Sequence, residues 1–428
     1  MLTETAAAEP CDVLVIGGGP AGSTAAALLA ERGRDVVLLE KSVHPRFHIG
    51  ESLLPRNLEV LERLGMKEEV AALGVLKPGA EFVSDAHGTT VGFNFATGID
   101  RDYTYAYQVR RADFDAALFN NARRRGARAE ESIRVTDVAF GPKGTRAQVT
   151  AQGADGVARC YAPRFVLDAS GRDTFLGGRL GRKRSDKQNN TAAVFGHFRN
   201  AECRTGEREG FITVHFVEHG WFWMIPLPDG VMSVGFVGTP QAFKARRGSM
   251  QEFFLEKIAE SPSVRARMEC AELVSEVTAT GNYSYRCRSA IGDQYLLIGD
   301  AFAFVDPIFS SGVLLAMVSA EMGAAVADAW LDDPRTGLRL ARQSEKRVRR
   351  AIDTLSWLIY RINDPVMREM FMSPQNRFRM REGLVSLLAG NIHGQNSLRL
   401  PVLAFKGAFY LLRMAVRFGY RRPPEFAV

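Results

Sequence analysis

The sequence predicts an α/β fold: a nucleotide-binding half with parallel strands, an interleaved antiparallel sheet, and a helical C-terminal region. Three observations predict it. The chain starts with a strand, a glycine turn, a helix and a second strand. Two more short apolar strands run into turns at Asp168-Ala169-Ser170-Gly171 and Gly299-Asp300-Ala301. From about Val313 onward the pattern is mostly helical.

The elements follow in order. Asp12 to Ile16 is a short buried strand that runs into Gly17-Gly18-Gly19-Pro20-Ala21-Gly22, followed by an alanine-rich helix through Ala30. A second strand, Val36 to Leu39, ends at Glu40. This is G-x-G-x-x-G between a strand and a helix, with an acid about 20 residues on. Gly17 allows the tight turn, Gly19 lets the backbone approach a pyrophosphate, and Gly22 lets helix and strand pack closely. The helix N-terminus then faces the phosphates. Glu40 suits an unphosphorylated ribose, as in FAD or NAD. FAD is favoured by the later strands: Tyr295 to Ile298 delivers Asp300 to the ribityl chain, and Val166 to Asp168 delivers a third strand end. Arg111 starts a helix within reach of the diphosphate or the flavin chain. Gly177-Gly178-Arg179-Leu180-Gly181 is glycine-rich without fingerprint spacing, so no second dinucleotide site is expected. In a strand, Trp221 and Trp223 face the same side and form an aromatic wall.

Composition excludes several classes. The net charge of +7 is mostly arginine, but the bases do not interleave with aromatics in one patch, which argues against nucleic acid. A flavin diphosphate and an acidic protein partner account for it better. The five cysteines (Cys11, Cys160, Cys203, Cys270, Cys287) show no Cys-x-x-Cys spacing, and the seven histidines are scattered along the chain. No metal site is expected, and a reducing cytoplasm is. Met1 to Pro10 lacks the basic start and apolar run of a signal peptide. No uninterrupted apolar run is long enough to span a bilayer.

The cofactor segments resemble the flavin monooxygenase superfamily of the para-hydroxybenzoate hydroxylase type over most of the chain. Two motifs narrow the resemblance to flavin-dependent halogenases. Trp221-x-Trp223-x-Ile225-Pro226 matches their W-x-W-x-I-P, and Phe304 to Gly312 matches their F-x-x-P-x-x-S-x-G. Arg46-Phe47-His48-Ile49-Gly50-Glu51-Ser52-Leu53-Leu54-Pro55 and Lys77-Pro78-Gly79-Ala80 look like segments of the phenol and pyrrole branch. The acid that the tryptophan branch carries after its halide site is missing, since Val313-Leu314-Leu315-Ala316 follows Gly312.

The resemblance implies a FAD-binding Rossmann-like domain of the GR2 type over 1–325, with a substrate sheet interleaved at roughly 80–110 and 185–280, and a helical region over 326–428. It implies that reduced FAD and oxygen oxidise chloride or bromide to hypohalous acid, which a lysine presents to an electron-rich phenol or pyrrole, free or on a carrier protein. Lys77, Trp221, Trp223 and Ser310 are the implied catalytic residues, and Ser311 and Gly312 the halide site. FAD is expected at Gly17, Gly19, Pro20, Ala21, Gly22, Ser23, Glu40, Lys41, Arg46, Ser52, Arg111, Asp300, Pro307, Gly312 and Val313. A separate flavin reductase is the expected supplier of reduced flavin. The alternative is a monooxygenase, or an oxidoreductase related to geranylgeranyl reductases, that ignores halide. Val402 to Phe418 is amphipathic, with Leu403, Phe409, Leu412 and Val416 against Lys406, Arg413 and Arg417. It is expected to dock on the body and cap the substrate cavity, with a membrane or carrier contact as the sharper alternative.

Overall fold

The computed structural model describes residues 8–185, 191–244, 246–281, 284–392 and 396–420. The expectation for the N-terminus before residue 8 therefore lies outside the described residues.

The parallel core is the strand order Arg128–Glu130, Val36–Leu39, Glu9–Ile16, Ala158–Asp168, with Tyr295–Leu297 beside the last. Its register aligns the predicted strand ends. Ile16 pairs with Leu39 and with Asp168, and Asp168 pairs with Leu297. Three turns far apart in sequence thus open at one edge, the carboxyl edge where open α/β sheets bind ligands. The first half of Ala158–Asp168 instead pairs antiparallel with Gln148–Gly153, which continues to Ile133–Ala139. Strand residues such as Val13, Leu14, Val15, Val37 and Leu38 are fully buried, as expected for strands covered on both faces.

The second sheet has eight strands and draws on separate pieces of chain: Gly79–Ser84 and Thr89–Asn94, then Ala192–Arg199 through Val231–Gly238, then Glu272–Leu273 and Thr278–Gly281. It is antiparallel except where Ile212–Val217 meets Gly79–Ser84 in a parallel pair. That one pair joins the two insertions, and no hairpin could make it. Its central strand, Gly220–Leu227, alternates cleanly. Trp221, Trp223 and Ile225 face the main core, while Phe222 and Met224 pack with Phe236, Phe253 and Phe254 under the Met250–Glu260 helix.

The helix Gly312–Asp332 is apolar and long enough to cross a bilayer, but most of it is buried between the Pro20–Glu31 and Pro334–Ile359 helices. It is a core helix, and it runs unbroken through residue 325. Beyond it the C-terminal helices pack back on the body. Phe371, on Pro365–Met372, joins Phe82, Phe93 and Phe309 in an aromatic cluster, and Ser386 Oγ accepts from the Ile99 amide at 2.8 Å.

The tail helix, Asn396–Arg417, corrects one expectation. Phe409, Leu412 and Val416 do face the body, but Leu403 lies on the opposite side and is 64% exposed.

Candidate functional site

The aligned strand ends open into a cavity of about 460 Å³. The glycine turn forms one wall. Gly17 sits at φ +100°, and a Cβ there would lie 2.6 Å from the Ala169 carbonyl. A Cβ on Gly22 would lie 1.8 Å from the Gly17 carbonyl, so the helix can approach the strand only with hydrogen there. A Cβ on Gly19 would have only the Arg46 guanidinium within 4 Å, and Gly19 caps the Pro20–Glu31 helix without any side-chain bond. The first amides of that helix therefore point into open space, as a diphosphate requires.

Glu40 is buried on the next strand end. Its carboxylate accepts from the Gly18 amide at 2.7 Å and the Ser42 amide at 2.9 Å, and lines the cavity. Arg46 stands 3.6 Å from Glu40 and 3.7 Å from Asp115. Arg111 opens its helix buried, clamped in bidentate fashion to Asp115 at 2.8 and 2.9 Å and donating to the Ile49 carbonyl. Burial pushes the Asp300 carboxyl up to about 7, against the opposing pull of Arg111 and Arg172. Lys41 pairs with Asp173 at the rim.

Of the predicted cofactor residues, Gly17, Gly19, Pro20, Ala21, Glu40, Lys41, Arg46, Ser52, Arg111, Asp300, Pro307, Gly312 and Val313 line this one cavity. Gly22 and Ser23 do not. Ser23 is fully buried and donates to the Gly18 carbonyl at 2.9 Å, so its part is to hold the turn. Asp168 likewise turns inward, accepting from the Ser170 and Leu176 amides, and leaves Ala169, Ser170 and Gly171 to the cavity.

The far end is built by two tryptophans and a helix start. Trp221 and Trp223 both line the cavity, their rings 5.9 Å apart. Trp223 donates from its indole to Ser233 Oγ at 3.1 Å, and its ring lies flat over Gly235, where a Cβ would come within 2.1 Å. Opposite them, Ser310 adopts φ +56° and turns the chain into the Gly312–Asp332 helix. Ser310 and Gly312 line the cavity; a Cβ on Gly312 would meet nothing within 4 Å. Ser311, the N-cap, makes no capping bond, and its buried hydroxyl has no partner. An uncapped helix N-terminus with an orphaned hydroxyl fits a small anion.

Lys77 ends the strand Gly74–Lys77, which pairs with Ala106–Val109. It is 1% exposed, donates to Ser52 Oγ and to the Leu53 carbonyl, each at 2.8 Å, and lies over the Phe95 ring. Burial lowers its pKa to about 7. Lys77 itself does not line the cavity, but Ser52 does. The amine thus sits one side chain behind the cavity wall.

Several further cavity residues lie in the Arg46–Pro55 segment that the resemblance marked, yet had no role assigned from sequence. Glu51, within the Arg46–Pro55 segment, is 1% exposed and binds His197 Nε2 at 2.9 Å, while its second oxygen has no partner. His48, held by burial and Arg111 at a pKa of about 4, is neutral and bonds the Ile49 carbonyl. Phe47, half exposed at the mouth, packs on Phe195 and His197. The described residues contain no cluster of metal ligands.

Fold and site together define a flavoprotein with a dinucleotide cradle, an aromatic wall and an uncapped helix terminus. Residues 10–329 match the FAD binding domain family. The chain is 37% identical over 317 residues to a tryptophan 2-halogenase of Chondromyces crocatus, covering 73% of this chain and 60% of that one. It is 33% identical over 338 residues to a 1H-pyrrole-2-carbonyl-[peptidyl-carrier protein] chlorinase of Pseudomonas fluorescens, covering 73% and 74%. Among solved structures it superposes on the myxobacterial chondrochloren halogenase CndH with TM-score 0.78 at 32% identity, covering 93% and 97%. A flavoprotein/dehydrogenase from Cytophaga hutchinsonii gives TM-score 0.86 at 30% identity, covering 96% and 100%. The chain belongs to the flavin-dependent halogenase family, and FAD is its cofactor.

Proposed function

We propose that the protein halogenates an electron-rich aromatic, a phenol or a pyrrole, free or tethered to a carrier protein. In this reading Lys77 presents the activated halogen and a separate reductase supplies reduced flavin. The observation that carries it is the lysine amine, buried against Phe95 and hydrogen-bonded to Ser52, one side chain behind the flavin cavity.

Bound reduced FAD, with oxygen, supplies the oxidising equivalents that turn halide into hypohalous acid. The protein's own groups do the rest. The Gly312 amide and the Ser311 hydroxyl hold the halide at the positive end of a 21-residue helix. Trp221 and Trp223 wall the cavity and keep the aromatic substrate away from the flavin. A lysine with pKa about 7 is half protonated near neutrality. Its ammonium form donates to the oxygen of hypohalous acid. The ring attacks the halogen, forming the carbon–halogen bond, and the oxygen leaves as water. The ring proton then passes to a base. The missing acid after Gly312 supports the phenol and pyrrole branch, whose rings need less activation. The pyrrole chlorinase supports a carrier-bound substrate.

The Cytophaga flavoprotein named a dehydrogenase favours one other reading, hydride transfer without halide. One experiment decides between them. The protein, FAD, a flavin reductase, NADH and oxygen are incubated with phenols and pyrroles, free and carrier-bound, with and without chloride or bromide. Mass spectrometry reads halogen isotope patterns. Products that form equally without halide exclude halogenation.

A further inference from the structure

The tail helix Asn396–Arg417 has two apolar faces. The inner one is docked: Phe405 and Phe409 pack edge-on against Trp357, Lys406 lies over the same ring at 4.9 Å, and Arg413 pairs with Asp364. The outer face carries Leu400, Leu403, Gly407, Leu411 and Met414, and Phe418 follows just past its end. The spacing of 3, 4, 4, 3 and 4 residues keeps them on one side of a helix. The five large side chains are each 54–70% exposed. At 1.5 Å per residue the stripe is about 27 Å long. Isolated exposed leucines are ordinary, but a continuous stripe of this length marks a contact surface.

Charge says what covers it. No aspartate or glutamate occurs from 383 to 424, while Arg399, Lys406, Arg413, Arg417, Arg421 and Arg422 fall within that stretch. The four within the helix lie along one flank of the stripe; Lys406 and Arg413 are engaged by Trp357 and Asp364, and Arg399 and Arg417 are the flank's outward charges. Beside the helix, the Arg377–Arg379 turn packs against it and holds Phe378, 75% exposed, between two arginines. A second copy of this face would set these bases against their own kind. A protein partner ordinarily forms about one hydrogen bond per 100–200 Å² of interface, yet the stripe presents no polar side chain. Large apolar side chains flanked mainly by bases match an anionic lipid surface.

We propose that the tail helix lies in the plane of an anionic membrane, its outer stripe among the acyl chains and its basic flank at the headgroups. The body, with its cavity and lysine, then stands at the bilayer surface, where an apolar aromatic substrate or its carrier is concentrated. The proposal does not depend on the halogenase reading.

The test uses the full chain loaded with FAD, floated with vesicles of phosphatidylcholine alone or containing phosphatidylglycerol. The wild type should float with the anionic vesicles, and added salt should weaken it. The L403E/L411E variant changes two exposed side chains and should keep its flavin absorbance while losing about tenfold or more in vesicle affinity. R399Q/R417Q should lose the preference for anionic vesicles. Three results would overturn the proposal: no flotation of the wild type, equal flotation with neutral vesicles, or a double leucine variant that floats unchanged. A wild-type dimer in solution that L403E/L411E dissociates would assign the stripe to a second copy. Capture of an acidic carrier protein by the stripe without vesicle binding would assign it to that partner.

Discussion

Replacing Lys77 with methionine separates the burial of the amine from its chemistry. The folded pKa is about 7, against an ordinary 10.5. Between those values the unfolded chain binds more protons than the folded one, so this group makes stability rise with pH across that window. Below about pH 7 both states carry the charge and the full cost of burying it is felt; above about pH 10.5 neither does. At about 1.4 kcal/mol per pH unit the whole span is worth about 5 kcal/mol, of which about 2 kcal/mol falls between pH 7 and pH 9. Methionine is similar in length and does not titrate. It leaves Ser52 Oγ and the Leu53 carbonyl without their donor, a cost of about 1–3 kcal/mol that does not vary with pH. Urea unfolding of both FAD-free proteins reads the effect. Between pH 7 and pH 9 the wild type should gain about 2 kcal/mol relative to Lys77→Met, because every other titrating group is common to both and cancels. Parallel pH profiles would refute the buried, nearly neutral lysine. In the loaded enzyme the same variant should oxidise reduced FAD at the wild-type rate while halogenated product falls by about a hundredfold or more; undiminished product would remove Lys77 from the reaction.

Other substitutions test other parts of the site. Gly22→Ala puts a methyl 1.8 Å from the Gly17 carbonyl, so the purified protein should lose its visible flavin absorbance while keeping its far-ultraviolet dichroism. Gly235→Ala drives a methyl into the Trp223 ring; FAD affinity should fall about tenfold, read by fluorescence titration, and Ser233→Ala, which removes only the indole's acceptor, should fall less. Asp300, its folded pKa raised to about 7, binds more protons folded than unfolded between about pH 4 and pH 7, so it lowers stability as pH rises through that window. Asp300→Asn should flatten the fall in the urea midpoint of FAD-free protein between about pH 5 and pH 7; an unchanged slope would contradict it.

What was legible in the sequence was whatever a local pattern fixes. The fingerprint gave a turn, a helix and a strand because Gly22 answers to Gly17 and Glu40 to Gly18, both near in sequence, although the Ala169 carbonyl that also confines Gly17 comes from a distant strand. The tryptophans read correctly as one face because the pleat has period 2. That face was expected beside the cofactor, and both tryptophans line the cavity; Gly235, under the Trp223 ring, drew no notice because its value lies only in the ring above it. Arg111 with Asp115 is an i,i+4 pair and was open to the same reading. Glu51 with His197 was not, being 146 residues apart and joined only by the sheet. The parallel pairing of Ile212–Val217 with Gly79–Ser84 is of the same kind.

The tail helix shows where periodicity misleads. Leu403, Phe409, Leu412 and Val416 looked like one apolar face because hydrophobic residues dominate the helix on two sides, and a count of apolar positions merges the sides. Only the docking of Phe405 and Phe409 on Trp357 separates an inner stripe from an outer one. Lys77 was ambiguous in a similar way, since a lysine before proline most often sits in a solvated loop. What buries it is the strand Ala106–Val109, which binds Gly74–Lys77 on one edge and, through the Ser52–Gln108 bridge, the segment Glu51–Leu53 on the other. One strand thus positions both Lys77 and the Ser52 that joins it to the flavin cavity. Loss of register there would expose the amine, restore its ordinary pKa and break its link to the cavity together.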